Sequence, residues 1–252
     1  MHIPQLKRRA RECMMMPRRP NLFLVTLFYL LLTTFLLLLV VNLSEVGRFL
    51  NTEMLERSSE ALGNFFQTGQ APLVELPELS LTPFGLVFLI IPLLFIWILD
   101  LGYLFYAKET IKGETLGFQS LFEGFNYLIR AVFLRVFVGI LVFVGVLFFI
   151  FPGLWVLCAF SQANLLLLDH PNRGAFWCLR ESLRLMRGHK MEYLTLLISF
   201  LGWYLLTITP IIHYAARIWY IPYSTFTYVN YYNTLTGSGP PEEPEWKRPG
   251  MF

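Results

Sequence analysis

Residues 131–168 hold two apolar runs, AVFLRVFVGILVFVGVLFFI and FPGLWVLCAFSQANLLLL, joined at a proline–glycine pair. A helix rising about 1.5 Å per residue needs about 20 apolar residues to cross the hydrocarbon core of a bilayer, and each run is about that long. The Phe151-Pro152-Gly153 seam predicts a tight turn at one membrane face. Proline pushes the residue before it out of the helical region, and glycine tolerates the turn. A transmembrane hairpin is the expected result, and the rest of the chain varies the same theme.

With 56% hydrophobic and only 15% charged residues over 252 positions, the chain has too little polar material to cover a soluble domain of its size. Soluble proteins average about 45–50% and about 25%. The formal charge of +3 arises from basic residues that flank apolar runs, where they act as topology signals. No basic tract interleaved with glycine and aromatics is present, so a nucleic-acid partner is not expected. Cys13, Cys158 and Cys178 have neither metal-like nor pairable spacing.

Six spans emerge in order. The basic cytoplasmic segment 1–20 carries Lys7, Arg8, Arg9, Arg11, Arg18 and Arg19 and precedes a first span at 21–43. That run exceeds the apolar stretch of a signal peptide, and no small-x-small cleavage site follows it. Residues 44–82 contain six glutamates against two arginines, which places them outside, with an amphipathic helix on the outer surface. The membrane core, 83–235, opens with a span at 83–106 interrupted by Pro92. Phe118, Leu121, Phe122 and Phe125 then form a stripe at helical spacing, predicting a short interfacial helix before the hairpin. Arg173, Arg180, Arg184, Arg187 and Lys190 mark a cytoplasmic loop, and 193–209 reads as the fifth span. Residues 211–233, with His213, Arg217 and Pro222, are ambiguous by hydropathy alone; a flexible tail, 236–252, follows.

Displacing the chain by 58 positions sets Phe118 on Phe176, Glu123 on Glu181, Ile150 on Ile208 and Pro152 on Pro210. The pattern suggests two parallel repeats, 118–168 and 176–233. It makes 211–233 a broken sixth span, with a turn at Pro210 and both termini in the cytoplasm. The expected fold is an all-α polytopic transmembrane helical bundle with interfacial amphipathic helices.

Gly113-Glu114 leads into Leu121-Phe122-Glu123-Gly124-Phe125; Pro152-Gly153, Gln162-Ala163 and Asp169-His170-Pro171 follow in order. Glu181-Ser182, Gly188-x-Lys190, Ser199-Phe200-Leu201-Gly202-Trp203, Pro222-Tyr223 and Tyr231-Tyr232 complete the series. Over about 80–235 the chain resembles a bacterial family of integral membrane proteins, domain of unknown function 975. It departs at Thr209-Pro210-Ile211-Ile212, where family members are more often glycine-rich. The resemblance implies a multi-span protein of the bacterial cytoplasmic membrane and supplies neither catalytic residues nor a ligand.

The candidate polar residues within the membrane are Asp100, Arg135, Ser161, Gln162, Asn164, His213 and Arg217. An acid in lipid needs a partner, so Asp100 is expected to pair with Arg135 and lock two spans, with snorkelling as the alternative for the arginine. His213 and Arg217, one helical turn apart, suit either an interfacial anchor or a cavity for an anionic headgroup or carboxylate. Ser161, Gln162 and Asn164 read as helix-to-helix hydrogen bonding. Asp169-His170-Pro171 lacks a further ligand at metal spacing and reads as a turn that caps the helix starting near Gly174.

No catalytic residue, cofactor or metal is expected. Three functional classes follow: a non-enzymatic accessory or assembly factor that contacts lipid, including anionic headgroups, or other membrane proteins; a small transporter or permease subunit; and an intramembrane lipid-modifying enzyme. The first is favoured because the sequence shows no nucleophile, phosphate-binding or metal motif. The second requires Asp100, Gln162, Asn164, His213 and Arg217 to share one cavity. The third requires acid or histidine side chains facing one another across a groove.

Overall fold

The computed structural model describes residues 3–15, 21–44, 82–208 and 213–238, together with Gly63 and Phe66. Among them every regular element is helical: α1 (Ile3–Met15), α2 (Leu22–Leu43), α3 (Pro83–Lys112), a 3₁₀ segment (Phe118–Tyr127), α4 (Leu128–Phe148) and α5 (Ile150–Phe160). The order continues with α6 (Ala163–Asp169), α7 (Ala175–Leu185), α8 (Lys190–Ile198), α9 (Leu201–Ile208) and α10 (His213–Thr236). Apart from Ser44, Gly63, Phe66 and Thr82, the segment expected to hold an outer amphipathic helix lies outside the described residues, as does the turn at Pro210.

Among the described residues four stretches are long and apolar enough to cross a bilayer: Leu22–Leu43, Pro83–Lys112, Phe118–Phe148 and Ile150–Asp169. The chain is a polytopic all-α membrane protein. On α4 the apolar side chains Ile140, Phe143, Leu147 and Phe148 are all exposed.

The first two long helices pack along a polar seam. Thr26 Oγ1 lies 2.9 Å from the Tyr103 hydroxyl, and the Tyr29 and Tyr103 rings sit 4.8 Å apart. Pro83 occupies the first turn of α3, where its missing N–H is harmless, and the Thr82 side chain accepts from Gly85 N at 3.2 Å. Pro92 is accommodated inside the helix, which runs on past the expected end at 106 to Lys112 and stops at Gly113. Gly113 has φ 103°, a left-handed conformation that glycine adopts without Cβ strain.

The expected interfacial helix is a 3₁₀ segment laid against α3. Leu121 is fully buried, and a Cβ added at Gly102 would stand 1.8 Å from the Leu121 carbonyl oxygen. A Cβ at Gly124 would stand 2.2 Å from the Ile98 oxygen. Two glycines, one on each partner, allow the backbones to touch. The stripe is therefore divided: Leu121 faces the protein, while Phe118 and Phe122 stay exposed.

In the central hairpin the helix ends at Phe148, and the reversal occurs at Phe149, which is extended at φ −166°, ψ 154°. This corrects the turn expected at Pro152-Gly153 by about one helical turn. Pro152 and Gly153 instead sit in the first turn of α5, where proline's missing donor costs no helical hydrogen bond. A Cβ at Gly145 would meet Gly153 Cα at 2.9 Å, so the glycine serves close approach of the two arms. The second arm is not one helix; it breaks at Ser161-Gln162, between α5 and α6.

In the segment expected as the fifth span the chain forms two short helices, α8 and α9, separated at Ser199-Phe200. The Ser199 side chain bonds the Leu196 carbonyl at 2.5 Å, and Phe200 N bonds Leu197 O at 3.0 Å, so the chain tightens and loses its α-helical register there. The region expected as a broken sixth span is continuous from His213 to Thr236, passing through Pro222. The two proposed repeats consequently differ in element type: 3₁₀ segment and unbroken α4 in one, α7 and a divided α8–α9 in the other.

The basic N-terminal segment is an amphipathic helix that buries Leu6, Ala10 and Met14 against α10. Lys7 Nζ donates to the Ser199 carbonyl at 2.9 Å and stands 4.2 Å from the centre of the Phe200 ring. It thus supplies a donor at the break between α8 and α9. Burial, aided by the nearby Arg11 charge, holds the Lys7 ammonium below the usual lysine range.

Candidate functional site

Asp100 and Arg135 meet between α3 and α4, and Arg217 and His213 contact each other on α10. Asp100 and Arg135 form the expected pair, with Arg135 Nη2 donating to Asp100 Oδ2 at 3.2 Å. Tyr29, not singled out from the sequence, donates its hydroxyl to Asp100 Oδ1 at 2.6 Å. One carboxylate thus joins three helices through both oxygens. In lipid this arrangement removes the cost of an unpaired charge and fixes the helices relative to one another. Arg135 also stands 5.9 Å from the centre of the Trp97 ring, within cation–π range.

On α10, Arg217 stands one helical turn after His213. Its Nη1 is 3.3 Å from His213 Nε2. The other ring nitrogen, Nδ1, bonds the Thr207 carbonyl oxygen. These two contacts assign the imidazole: a carbonyl only accepts, so Nδ1 carries the proton; a guanidinium only donates, so Nε2 is the acceptor.

Ser161, Gln162 and Asn164 do not join this cluster. Ser161 donates to the Cys158 carbonyl at 2.8 Å, and Gln162 Nε2 donates to Ser161 Oγ at 2.9 Å, so these polar groups serve the break between α5 and α6. Gln162 is buried, and its Oε1 has no hydrogen-bond partner among the described residues. Asn164 lies half-buried on α6. Of the five polar groups that a transport reading requires on one cavity, Asp100 pairs with Arg135, Arg217 contacts His213, and Gln162 belongs to the α5–α6 break.

A second cluster closes another junction. Asp169, the last residue of α6, forms an ion pair through Oδ1 with buried Lys108 and accepts the Tyr232 hydroxyl on Oδ2. It links α3, α6 and α10. The expectation that the Asp169-His170-Pro171 turn caps the next helix is corrected here: Gly174 occupies the cap of α7 with no side-chain hydrogen bond, and Asp169 is engaged elsewhere. His170 packs edge-on against Trp177 with ring centres 5.0 Å apart. Its neighbouring carboxylate is held by lysine and phenol. Neither Lys108 nor Tyr232 carries a local signal, since a lysine near a helix end and a tyrosine near a chain end are both common interfacial anchors.

Both clusters are structural in form, a carboxylate bridging a cation and a tyrosine from different helices. Among the described residues no group of three or more His, Cys, Asp and Glu is placed to hold a metal ion. No curated protein and no solved structure matches the chain. A family described as protein of unknown function (DUF975) matches residues 5–238, which include both clusters and every described helix except the first two residues of α1. Spanning nearly the whole sequence, that match places the chain in the DUF975 family of proteins of unknown function.

Proposed function

We propose that the protein is a non-enzymatic component of the bacterial cytoplasmic membrane, an accessory or assembly factor that acts by contact with lipid or with other membrane proteins. The observation that carries this reading is the use made of the two carboxylates: Asp100 is held by Tyr29 and Arg135, and Asp169 by Lys108 and Tyr232. Each acid joins helices, and both of its oxygens are engaged. The exposed apolar face of α4 is the surface that such a factor presents to its surroundings.

Cross-linking within the membrane from a photoreactive residue at Phe143 or Leu147 tests it. A reproducible protein adduct at either position supports contact with membrane proteins; adducts to lipid alone at both support the lipid arm. Proton flux in proteoliposomes that disappears on Asp100→Asn, with folding retained, overturns the reading in favour of transport.

The orientation that goes with this proposal has both termini in the cytoplasm. In a chain whose three cysteines have been replaced, Ser238→Cys is expected to label only from the cytoplasmic side and Gln70→Cys only from outside. Labelling of Ser238→Cys from outside overturns that orientation.

A further inference from the structure

An open cavity of about 500 Å³ lies between the end of the 3₁₀ segment, the start of α4 and the loop after α6; its walls include Phe125, Asn126, Tyr127, Ile129, Arg130 and Pro171. Arg130 donates to the Pro171 carbonyl oxygen, which ties α4 to that loop. The bond uses one of the five guanidinium N–H donors, and the side chain stays exposed. Arg173 belongs to the same loop, in a turn closed by its own N–H on His170 O at 3.0 Å. Its guanidinium stands 5.5 Å from the centre of the Trp177 ring.

The helix sets the depth of this cavity. From Arg130 to Phe148 α4 rises about 27 Å at about 1.5 Å per residue, against about 30 Å for the hydrocarbon core. With the hairpin turn at one face, Arg130 stands where the other face meets the headgroups. An apolar stripe leads from the cavity along the span: Ile129, Phe133 and Phe137 follow one another at i, i+4 spacing, and the Phe176 ring meets that of Phe133 with centres 5.0 Å apart. Ile129 is 80% exposed.

We infer that this cavity binds an anionic glycerophospholipid, with its phosphodiester on Arg130 and an acyl chain along Ile129 and Phe133. A planar guanidinium matches phosphate oxygens with parallel N–H donors, and basic pockets at membrane helices take such headgroups. The apolar stripe favours a lipid over free phosphate, because a soluble anion gains nothing from Ile129. Glu123 accepts from Asn126 Nδ2 at 2.6 Å and so brings a carboxylate beside the cavity, an acceptor for a hydroxyl-bearing headgroup such as glycerol. The inference deepens the lipid arm of the proposed function. It can fail alone, since Phe143 and Leu147 report on the opposite end of α4.

Thermal unfolding of the full chain in dodecyl maltoside, titrated with dioleoylphosphatidylglycerol, tests it. The lipid concentration giving half the maximal rise in melting temperature is expected to increase about tenfold or more for Arg130→Gln, which loses a charge-assisted contact. It is expected to stay unchanged for Arg184→Gln, an exposed arginine on α7. Arg130→Lys keeps the charge without the planar fork and should fall between. Ile129→Gln, at a position too exposed to endanger folding, should weaken binding about threefold or more. Dioleoylphosphatidylcholine and glycerophosphoglycerol, the same headgroup without chains, are expected to give no rise at concentrations where phosphatidylglycerol saturates.

Equal half-saturation of Arg130→Gln and wild type, no response to phosphatidylglycerol, or an equal rise with phosphatidylcholine overturns the proposal. An equal rise with glycerophosphoglycerol or inorganic phosphate overturns the lipid and identifies a soluble anion in its place. Should Arg130→Gln not fold, Arg130→Lys and Ile129→Gln decide: wild-type titrations for both overturn the inference.

Discussion

Replacing Gly102 by alanine places a methyl group against backbone. The added Cβ would stand 1.8 Å from the Leu121 carbonyl oxygen, 2.5 Å from its carbon and 2.9 Å from its Cα, where real Cβ contacts stay beyond 3.0 Å. No side chain can swing aside to relieve this, so the 3₁₀ segment must move away from α3 by more than an ångström. The contacts of fully buried Leu121 go with it. Overpacking of this kind costs about 1–3 kcal/mol, and a backbone obstruction belongs at the upper end.

Alanine's better helix propensity returns about 1 kcal/mol, leaving a net loss of about 2 kcal/mol. Gly139 on α4 is the control, because an added Cβ there meets nothing within 4 Å and only the propensity gain of about 1 kcal/mol remains. The two variants should differ by about 3 kcal/mol, or about 6–12 °C in melting temperature for a chain of this size. Thermal unfolding in detergent, followed by tryptophan fluorescence, measures it. If Gly102→Ala melts with Gly139→Ala, the close approach of the segment to α3 is wrong.

Three further outcomes follow from the polar junctions. In a double-mutant cycle, Asp100→Asn and Arg135→Gln should couple by about 0.6–1.7 kcal/mol in detergent stability, and strictly additive losses would refute the lock between α3 and α4. Lys108→Met should cost about 3 kcal/mol, because it strands the Asp169 carboxylate, and Tyr232→Phe about 1.5 kcal/mol for one bond to a charged group; unfolding that ranks them the other way counts against the cluster.

His189 Nδ1, 3.0 Å from Glu192 Oε2, holds that carboxyl below the usual glutamate range. A depressed carboxyl contributes stability that is fully present above its unfolded-state pKa and is lost as pH falls through the lower folded value. The melting-temperature gap between wild type and Glu192→Gln should therefore narrow on acidification through the glutamate range; a gap constant with pH would contradict the interaction.

The membrane character of the chain is legible from length and hydropathy, because hydrocarbon admits little but helices of about 20 apolar residues. Asp100 could also be paired with Arg135 from sequence, since an acid in lipid must find a cation and Arg135 lies on the next apolar run. Tyr29 was not legible, because a phenol in an apolar run is equally at home packing on lipid; only the 2.6 Å approach of α2 to Asp100 assigns it. Lys7 belongs to a segment that reads as a basic flank. Its contact with Ser199 depends on the fold of residues 192 positions away.

What the sequence determined by itself is the set of apolar helices, the charge bias between them and the need of each buried acid for a partner. These are properties of local composition, settled by the cost of placing backbone and charge in hydrocarbon. Only the tertiary structure decided the turn at Phe149, the division of α8 from α9, and which glycines carry backbone against backbone. It likewise decided that Tyr29 joins the Asp100–Arg135 pair and that Lys108 and Tyr232 meet on Asp169. These depend on how helices distant in sequence approach one another, and hydropathy is the same for many such approaches. Close packing and the matching of donors to acceptors select among them.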